Sequence, residues 1–127
     1  MPHCILEYSA NLPESPDFQA LFRELHEVLV ASGEFKLEDI KSRAVRHEVF
    51  RIGDGDPKRT FVAMNLCLLS GRSDEVKAGL ARSILELLKR AFARTLAETA
   101  CSLSVQVSEL HRPSYQKVLG PVDRSQE

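Results

Sequence analysis

The sequence predicts an α+β fold in which two tandem β-α-β units form one four-stranded sheet with both helices on one face. A strand-helix-strand pattern occurs twice, each time over roughly 50 to 60 residues. A turn cluster, Gly53-Asp54-Gly55-Asp56-Pro57, separates the two occurrences. Each predicted helix is long enough to cross over between parallel strands, and one sheet covered by two helices is the most economical packing of these elements.

The first unit begins with a short apolar strand over residues 4–8 and continues into a helix. In Ser15-Pro16-Asp17 the serine can cap a free N–H group, the proline suits the first helical position, and the aspartate complements the positive end of the helix. Gly33 is a suitable stop, and a second strand is expected over residues 40–52. The apolar residues of the helix recur at helical spacing: Phe18, Leu21, Phe22, Leu25 and Leu29.

The second unit repeats this order. Residues 60–69 are strand-like, Gly71 interrupts them, and Ser73-Asp74-Glu75 opens a helix with an apolar stripe. Residues 102–110 alternate between apolar and polar side chains, which predicts the last strand. We therefore expect one domain over residues 1–127, with pseudo-repeats at about 2–53 and 60–111 and a polar tail over 112–127 that docks or frays.

The composition argues against several classes of partner. The 127 residues carry 17 basic and 18 acidic side chains, so we expect no nucleic-acid partner, since phosphate binding needs clustered positive charge. Apolar runs fall far short of the roughly 20 residues that span a bilayer, and the N-terminus does not read as a secretory signal. Three widely spaced cysteines favour the cytoplasm over a disulfide framework, and the four histidines show no metal-ligand spacing, so we expect no metal site.

The predicted sheet has a second face that neither helix covers. Depending on the register of the strands, the side chains on this face include Ile5, Val62 and Met64. In so small a chain, we expect another copy of the same chain to cover it.

Pro2 directly follows the initiator methionine. Methionine is normally removed when the next residue is small, and removal would leave a free secondary amine at the start of a strand. Burial and nearby cations both disfavour the protonated form of such an amine and lower its pKa towards neutrality, where general bases work best. Pro2 is therefore a candidate general base.

The strand-to-helix junction Gly71-Arg72-Ser73-Asp74-Glu75, followed by Lys77, resembles the tautomerase superfamily, whose β-α-β units begin with proline and carry a Gly-Arg-Ser-acidic stretch there. The whole chain resembles the 5-carboxymethyl-2-hydroxymuconate isomerase family, whose members fuse two units in one chain. This resemblance implies a tautomerase-like homotrimer with one prolyl site per chain. Further supporting features are Pro2-His3, Glu7, Gly33, Ser42-Arg43, Phe61-Val62 and Glu109-Leu110-His111.

The two units carry different parts of the implied site. Val62 stands where the first unit has Pro2, and an internal peptide nitrogen cannot act as a base. Leu12 stands near the place that Arg72 occupies in the second unit. A complete site must therefore combine Pro2 with Arg72 through folding or assembly.

The resemblance implies a cofactor-free isomerase that interconverts keto and enol forms of a small dicarboxylate or tricarboxylate dienol. Its implied substrate is 5-carboxymethyl-2-hydroxymuconate, from the bacterial breakdown of 4-hydroxyphenylacetate. Pro2, Arg72 and Arg43 are the expected catalytic residues. Arg72, Arg43 and Lys41 are expected to bind the carboxylates, which guanidinium groups hold bidentately, and an arginine can also stabilise the dienolate.

Two alternatives remain open from the sequence. The same proline and arginines could serve another activity of the superfamily, such as phenylpyruvate-type tautomerisation or hydrolytic dehalogenation. If Met1 is retained, the nitrogen of Pro2 is an amide without basicity, and the chain would be a non-catalytic trimeric binding module.

Overall fold

The structure, a computed structural model, describes residues 1–121. Its main elements are β1 (His3–Ser9), α1 (Phe18–Ala31), β2 (Lys41–His47), β3 (Arg59–Leu69), α2 (Asp74–Ala91), α3 (Ala93–Glu98) and β4 (Ala100–Leu110). Short 3-10 turns lie at Leu37–Asp39 and Arg112–Ser114. In the chain up to residue 121, no helix is both long and apolar enough to cross a membrane.

The four strands form one sheet in the order β2-β1-β3-β4. The strands within each β-α-β unit are parallel, whereas β1 and β3 join the two units in antiparallel orientation. The predicted α+β fold is confirmed. The antiparallel junction also has a consequence for function, because it brings the start of β1 to the same end of the sheet as the end of β3.

The core lies between one face of the sheet and the helices α1 and α2. The sheet contributes residues that alternate along β1 and β3, and each helix contributes one stripe. The buried apolar residues of these four elements are Cys4, Leu6, Leu21, Leu25, Leu29, Val62, Met64, Leu66, Leu68, Leu80, Ile84, Leu87 and Leu88.

The expectation that Val62 and Met64 lie on the helix-free face is wrong. Both are buried in the core, at 0% and 1% exposure, whereas Ile5 does lie on the helix-free face beside Ala63 and Asn65. The sequence left the register open because β3 is apolar on both faces, and a shift of one residue exchanges the two sets.

Two predicted boundaries also need correction. Asp17, and not Ser15, caps α1: its carboxylate accepts a hydrogen bond from the backbone N–H of Ala20 at 3.1 Å, and the helix begins at Phe18. The second strand ends at His47 and does not reach residue 52. The residues between β2 and β3 instead form a loop in which Gly53 and Gly55 have positive φ angles.

The polar tail was expected to dock or to fray. Its first part docks, since the 3-10 turn at Arg112–Ser114 returns the chain towards the end of the sheet where β3 ends. Residues 122–127 lie outside the described residues. The short helix α3, between α2 and β4, was not predicted.

Candidate active site

The start of β1 and the start of β2 lie side by side. The backbone N–H of Lys41 donates to the carbonyl of Pro2 at 3.2 Å, and the parallel register places His3 opposite Lys41 and Ile5 opposite Arg43. Alternate residues of a strand share a face, so the side chains of Lys41 and Arg43 project from the helix-free face next to His3. The fold thus brings three of the four predicted site residues, Pro2, Lys41 and Arg43, to one end of the sheet.

The N-terminal amine lies in a cationic and partly dehydrated environment. In the full chain this amine belongs to Met1, and its pKa is held below the usual value by burial first, then by Lys41 and Lys117. The carboxylate of Asp39 opposes this effect. Pro2 itself is buried. An amine at this place therefore loses its proton more readily than a free N-terminal amine, and the neutral form is the one that can accept a proton.

Arg43 is oriented by His3. Its Nη1 atom lies 3.0 Å from Nδ1 of His3, and since a guanidinium can only donate, Nδ1 accepts and the ring proton of neutral His3 is on Nε2. Burial, Arg43 and Lys41 each lower the pKa of His3, so the ring is kept neutral. Among residues 1–121, no carboxylate forms an ion pair with Arg43. Sequence reasoning missed this role of His3, because it depends on a contact between two strands.

Arg72 is held by contacts with the segment that follows α1. Its Nε atom donates to Oε1 of Glu34 at 2.9 Å, and its Nη2 donates to the backbone carbonyl of Glu34 at 3.0 Å. The guanidinium carbon lies 4.7 Å from the centre of the Phe35 ring. The side chain is only 22% exposed, so Arg72 is a fixed cation and not a freely solvated one.

The backbone at Gly71 sets the direction in which Arg72 leaves β3. Gly71 has a φ of 129°, a conformation that residues with a Cβ rarely adopt. Because His3 pairs with Cys67 in the antiparallel register, the junction after Leu69 lies at the end of the sheet where Pro2 lies. Folding of one chain therefore places Arg72 at the same end as Pro2, Lys41 and Arg43.

Two further cations reach this end of the sheet from the segment after β4. Nε of Arg112 donates to the carbonyl of Ser70 at 2.6 Å. Nζ of Lys117 lies 3.8 Å from Oδ1 of Asp39. Sequence reasoning missed both, because only the docked path of the tail brings them here. This end of the sheet, which we call the cationic end, is defined by Lys41, Arg43, Arg72, Arg112 and Lys117.

The cysteines and histidines offer little alternative chemistry. Burial raises the pKa of the Cys4 thiol to about 11, which leaves almost no thiolate at neutral pH. Cys4 is therefore a small residue of the core. Within residues 1–121, no three His, Cys, Asp or Glu side chains are grouped so that they could hold a metal ion.

The sequence of the chain matches a known protein family. Residues 2–118 match the family described as 5-carboxymethyl-2-hydroxymuconate isomerase. The chain is 34% identical over 111 residues to the 5-carboxymethyl-2-hydroxymuconate Delta-isomerase of Escherichia coli, a match that covers 87% of this chain and 88% of the relative.

Solved structures agree with this assignment. A 5-carboxymethyl-2-hydroxymuconate isomerase from Deinococcus radiodurans R1 superposes with a TM-score of 0.86 at 33% identity, over 94% of this chain and 90% of that one. A fused 4-OT protein, described as a symmetric trimer, superposes with a TM-score of 0.71 at 16% identity and 94% coverage of both chains. This second similarity shows the fold alone.

Proposed function

The chain belongs to the 5-carboxymethyl-2-hydroxymuconate isomerase family and is an isomerase, and we propose that it converts 5-carboxymethyl-2-hydroxymuconate into its conjugated 2-oxo isomer with Pro2 as the general base. The observation that carries this proposal is the position of the N-terminal amine, which lies beside Lys41 and Lys117 at the cationic end. A carboxylate-rich dienol is the class of substrate that such a site attracts.

The proposed reaction is a proton transfer within one molecule. The neutral amine of Pro2 takes the proton from the 2-hydroxyl group, and the electron pair of that O–H bond forms the 2-oxo group. The two conjugated double bonds shift, and the protonated amine returns the proton to carbon 5. One O–H bond breaks and one C–H bond forms, so the reaction needs neither oxidant nor reductant.

The arginines and Lys41 have separate tasks in this mechanism. Arg43, held by neutral His3, and Lys41 bind carboxylates next to the base. Arg72 stabilises the negative charge that develops on the 2-oxygen. Its fixed contacts with Glu34 and Phe35 preorganise the guanidinium, which reduces the cost of ordering it when substrate binds.

Removal of Met1 is a condition of this mechanism, because an amide nitrogen has no useful basicity. We propose that Met1 is removed from the active protein. An intact-mass measurement of the native protein tests this directly, and a retained methionine would exclude Pro2 as the base and favour the non-catalytic binding module.

We also propose that the active form is a homo-oligomer, and specifically a trimer. The helix-free face of the sheet supports this, because it exposes Ile5 and Ala63 around a cavity of about 230 Å³. Another copy of the chain would remove these apolar atoms from water.

The test of the base is the substitution Pro2→Ala, which still permits removal of Met1. We expect kcat for ketonisation to fall about tenfold or more, because a less constrained primary amine, which is still a base, replaces the fixed secondary amine of proline. Pro16→Ala, in the loop before α1, is the matched control and should keep the full rate. Full activity of Pro2→Ala, with its N-terminus verified by mass spectrometry, would exclude the mechanism.

The choice of substrate needs its own comparison. Steady-state rates on 5-carboxymethyl-2-hydroxymuconate, on phenylpyruvate enol and on a haloacrylate separate the proposed activity from the two other activities of the superfamily. We expect the highest kcat/KM for the dienol, because several cations suit several carboxylates. A higher kcat/KM for a monocarboxylate would contradict the proposal.

A further inference from the structure

The segment after β4 follows a defined path across the cationic end. A 3-10 turn is closed by hydrogen bonds from Ser114 to His111 and from Tyr115 to Arg112, both at 3.1 Å between backbone N and O. The guanidinium of Arg112 fixes this turn to the carbonyl of Ser70, two residues before Arg72. The chain is therefore directed back towards the start of β1.

Asp39 joins this segment to β2. Its carboxylate lies 3.8 Å from Nζ of Lys117, and its backbone carbonyl accepts a hydrogen bond from Nζ of Lys41 at 2.8 Å. One aspartate thus holds two ammonium groups and can neutralise only one. The remaining positive charge lies close to the N-terminal amine, since both lysines act on its pKa.

The contact between Lys117 and Asp39 is loose. At 3.8 Å it is longer than a charge-assisted hydrogen bond, and the two side chains are 35% and 33% exposed. Such a pair contributes little to stability and can exchange partners at low cost. Lys117 is therefore placed near the base while its ammonium group stays available to another anion.

We propose that Lys117 binds the one carboxylate that distinguishes 5-carboxymethyl-2-hydroxymuconate from 2-hydroxymuconate, and so makes the site selective for tricarboxylates. This inference rests on the proposed function. The substrate carries three carboxylates, whereas the β-α-β units supply Lys41, Arg43 and an Arg72 already paired with Glu34. The additional cation comes from the tail, outside both units.

The test compares two substrates in the processed, full-length protein. Lys117→Met removes the charge and keeps a side chain of similar length. We expect kcat/KM for 5-carboxymethyl-2-hydroxymuconate to fall about tenfold or more, as for loss of a charge-assisted contact. Because Lys117 also lowers the pKa of the N-terminal amine, the rates are compared at a pH where the amine is neutral in both variants. Under that condition kcat/KM for 2-hydroxymuconate should change less than about twofold, because the extra carboxylate is missing from that substrate. Lys117→Arg should keep most of the selectivity.

The control is Lys58→Met, which removes the same charge from an exposed position at the opposite end of the sheet. Lys58→Met should leave kcat/KM unchanged for both substrates. Equal losses for the two substrates in Lys117→Met, or a shifted pH profile with an unchanged ratio of kcat/KM values, would overturn the proposal. Those results would assign Lys117 to the base and not to the substrate.

Binding of polycarboxylates that do not react tests the role of Lys117 even if the proposed reaction is wrong. Calorimetry with tricarballylate and glutarate measures affinity for three and for two carboxylates. Lys117→Met should weaken the affinity for tricarballylate about tenfold and leave the affinity for glutarate unchanged. If the unsubstituted chain turns over neither dienol but shows this difference, the proposed reaction is wrong and Lys117 stands as an anion-binding residue. An unchanged tricarballylate affinity, or no binding to the unsubstituted chain, would overturn the inference.

Discussion

In the proposed mechanism, Arg43 and Arg72 differ in the contacts that they must give up when substrate binds. Arg43 is held by a neutral imidazole, so its charge is available to a carboxylate. Arg72 already has an anionic partner in Glu34, at 2.9 Å and with both side chains largely shielded from water. A substrate carboxylate must share Arg72 with Glu34. Arg72, at the junction, is therefore the more firmly positioned of the two, and the charge of Arg43, on the strand, is the less compensated.

This difference leads to a prediction for Arg72. We expect Arg72→Gln to lower kcat/KM on the proposed substrate by about 10- to 100-fold, the loss of charged hydrogen bonds to the substrate. Glu34→Gln removes the opposing charge, but its amide oxygen can still accept the hydrogen bond from Nε of Arg72, so the guanidinium stays in place. This variant should therefore retain activity or bind substrate more tightly. Stopped-flow ketonisation assays of both variants, with Arg94→Gln as a surface control, measure the effect. Equal losses in Arg72→Gln and Glu34→Gln would mean that the pair acts only through the fold.

A second prediction concerns the pH dependence of the base. The amine is active when neutral, so kcat/KM rises as pH increases through its pKa. Lys41 lowers the pKa of the N-terminal amine, as do burial and Lys117. We expect Lys41→Met to raise this pKa and to move the acid limb of the pH-rate profile to higher pH, whereas Lys58→Met should not move it. If the acid limb of Lys41→Met stays in place or moves to lower pH, Lys41 does not lower the pKa of the base.

Two residues of the proposed site have local signatures in the sequence. Pro2 follows the initiator methionine and Arg72 lies in a recognisable junction, so both could be singled out from the sequence alone. Asp39 and Lys117 could not, because they are 78 residues apart in the numbering and meet only through the docked tail. Contacts between residues that are far apart in the sequence could not be predicted from the spacing of residue types.

At the scale of elements, α2 begins directly after Arg72 and its start positions that residue. Oγ of Ser73 accepts a hydrogen bond from the N–H of Val76 at 3.2 Å, and Asp74 and Glu75 follow in the first turn. The last turn carries Lys89 and Arg90. Both ends thus complement the helix dipole.

We expect Ser73→Ala to reduce the free energy of unfolding by about 1 kcal/mol, the usual effect of losing an N-cap. Ser83→Ala, at an exposed position inside the same helix, should raise the free energy of unfolding by a few tenths of a kcal/mol, because alanine has the higher helix propensity. Urea denaturation of both variants measures the difference. No destabilisation in Ser73→Ala would mean that another group caps the helix.

The loop between β2 and β3 is expected to stabilise the fold in a pH-dependent way. The hydrogen bond from Arg59 is the main cause that lowers the pKa of Asp54 to about 2, with a further bond from the N–H of Asp56. A carboxyl with a lowered folded-state pKa stabilises the protein above its unfolded value and loses this effect as pH falls through the folded value. Asp54→Asn should therefore be less stable than the unsubstituted chain at pH 7, and the difference should shrink between about pH 4 and pH 2. A difference that is independent of pH would contradict the role of ionised Asp54, and Glu86→Gln on α2 is the control.

The wrong predictions share one physical cause, which is that each feature depends on contacts outside its own segment. Ser15 and Asp17 are both good capping residues, and only the path of the chain selects Asp17. Residues 48–52 include the strand-forming Val49, Phe50 and Ile52, but β1 ends at Ser9, opposite His47, and does not extend alongside them. Val62 and Met64 were assigned to the wrong face because register depends on pairing and not on the strand alone. The order and type of the main elements were local properties and were predicted.

At the scale of the whole molecule, the helix-free face is the feature that the single chain leaves incomplete. It is lined by small, polar and apolar side chains, with Ile5, Glu7 and Asn65 around a cavity of about 230 Å³. Within residues 1–121, Nε2 of His47 is buried without a hydrogen-bond partner and lies 3.8 Å from Oε1 of Glu7. A chain of this length buries a modest share of its surface, so an interface here would add stability that one copy lacks.

The expected consequence is that Ile5→Lys disrupts assembly. A charge placed in the middle of this face would have to be desolvated in the interface, whereas in a monomer it could remain in water. We expect analytical ultracentrifugation to show an oligomer for the unsubstituted chain and a shift to monomer for Ile5→Lys, with a lower melting temperature. Val30→Lys adds the same charge on the outer side of α1, where Val30 is 40% exposed, and should leave the mass unchanged. An unsubstituted chain that sediments as a monomer, or an Ile5→Lys variant that stays assembled, would show that this face is not the interface.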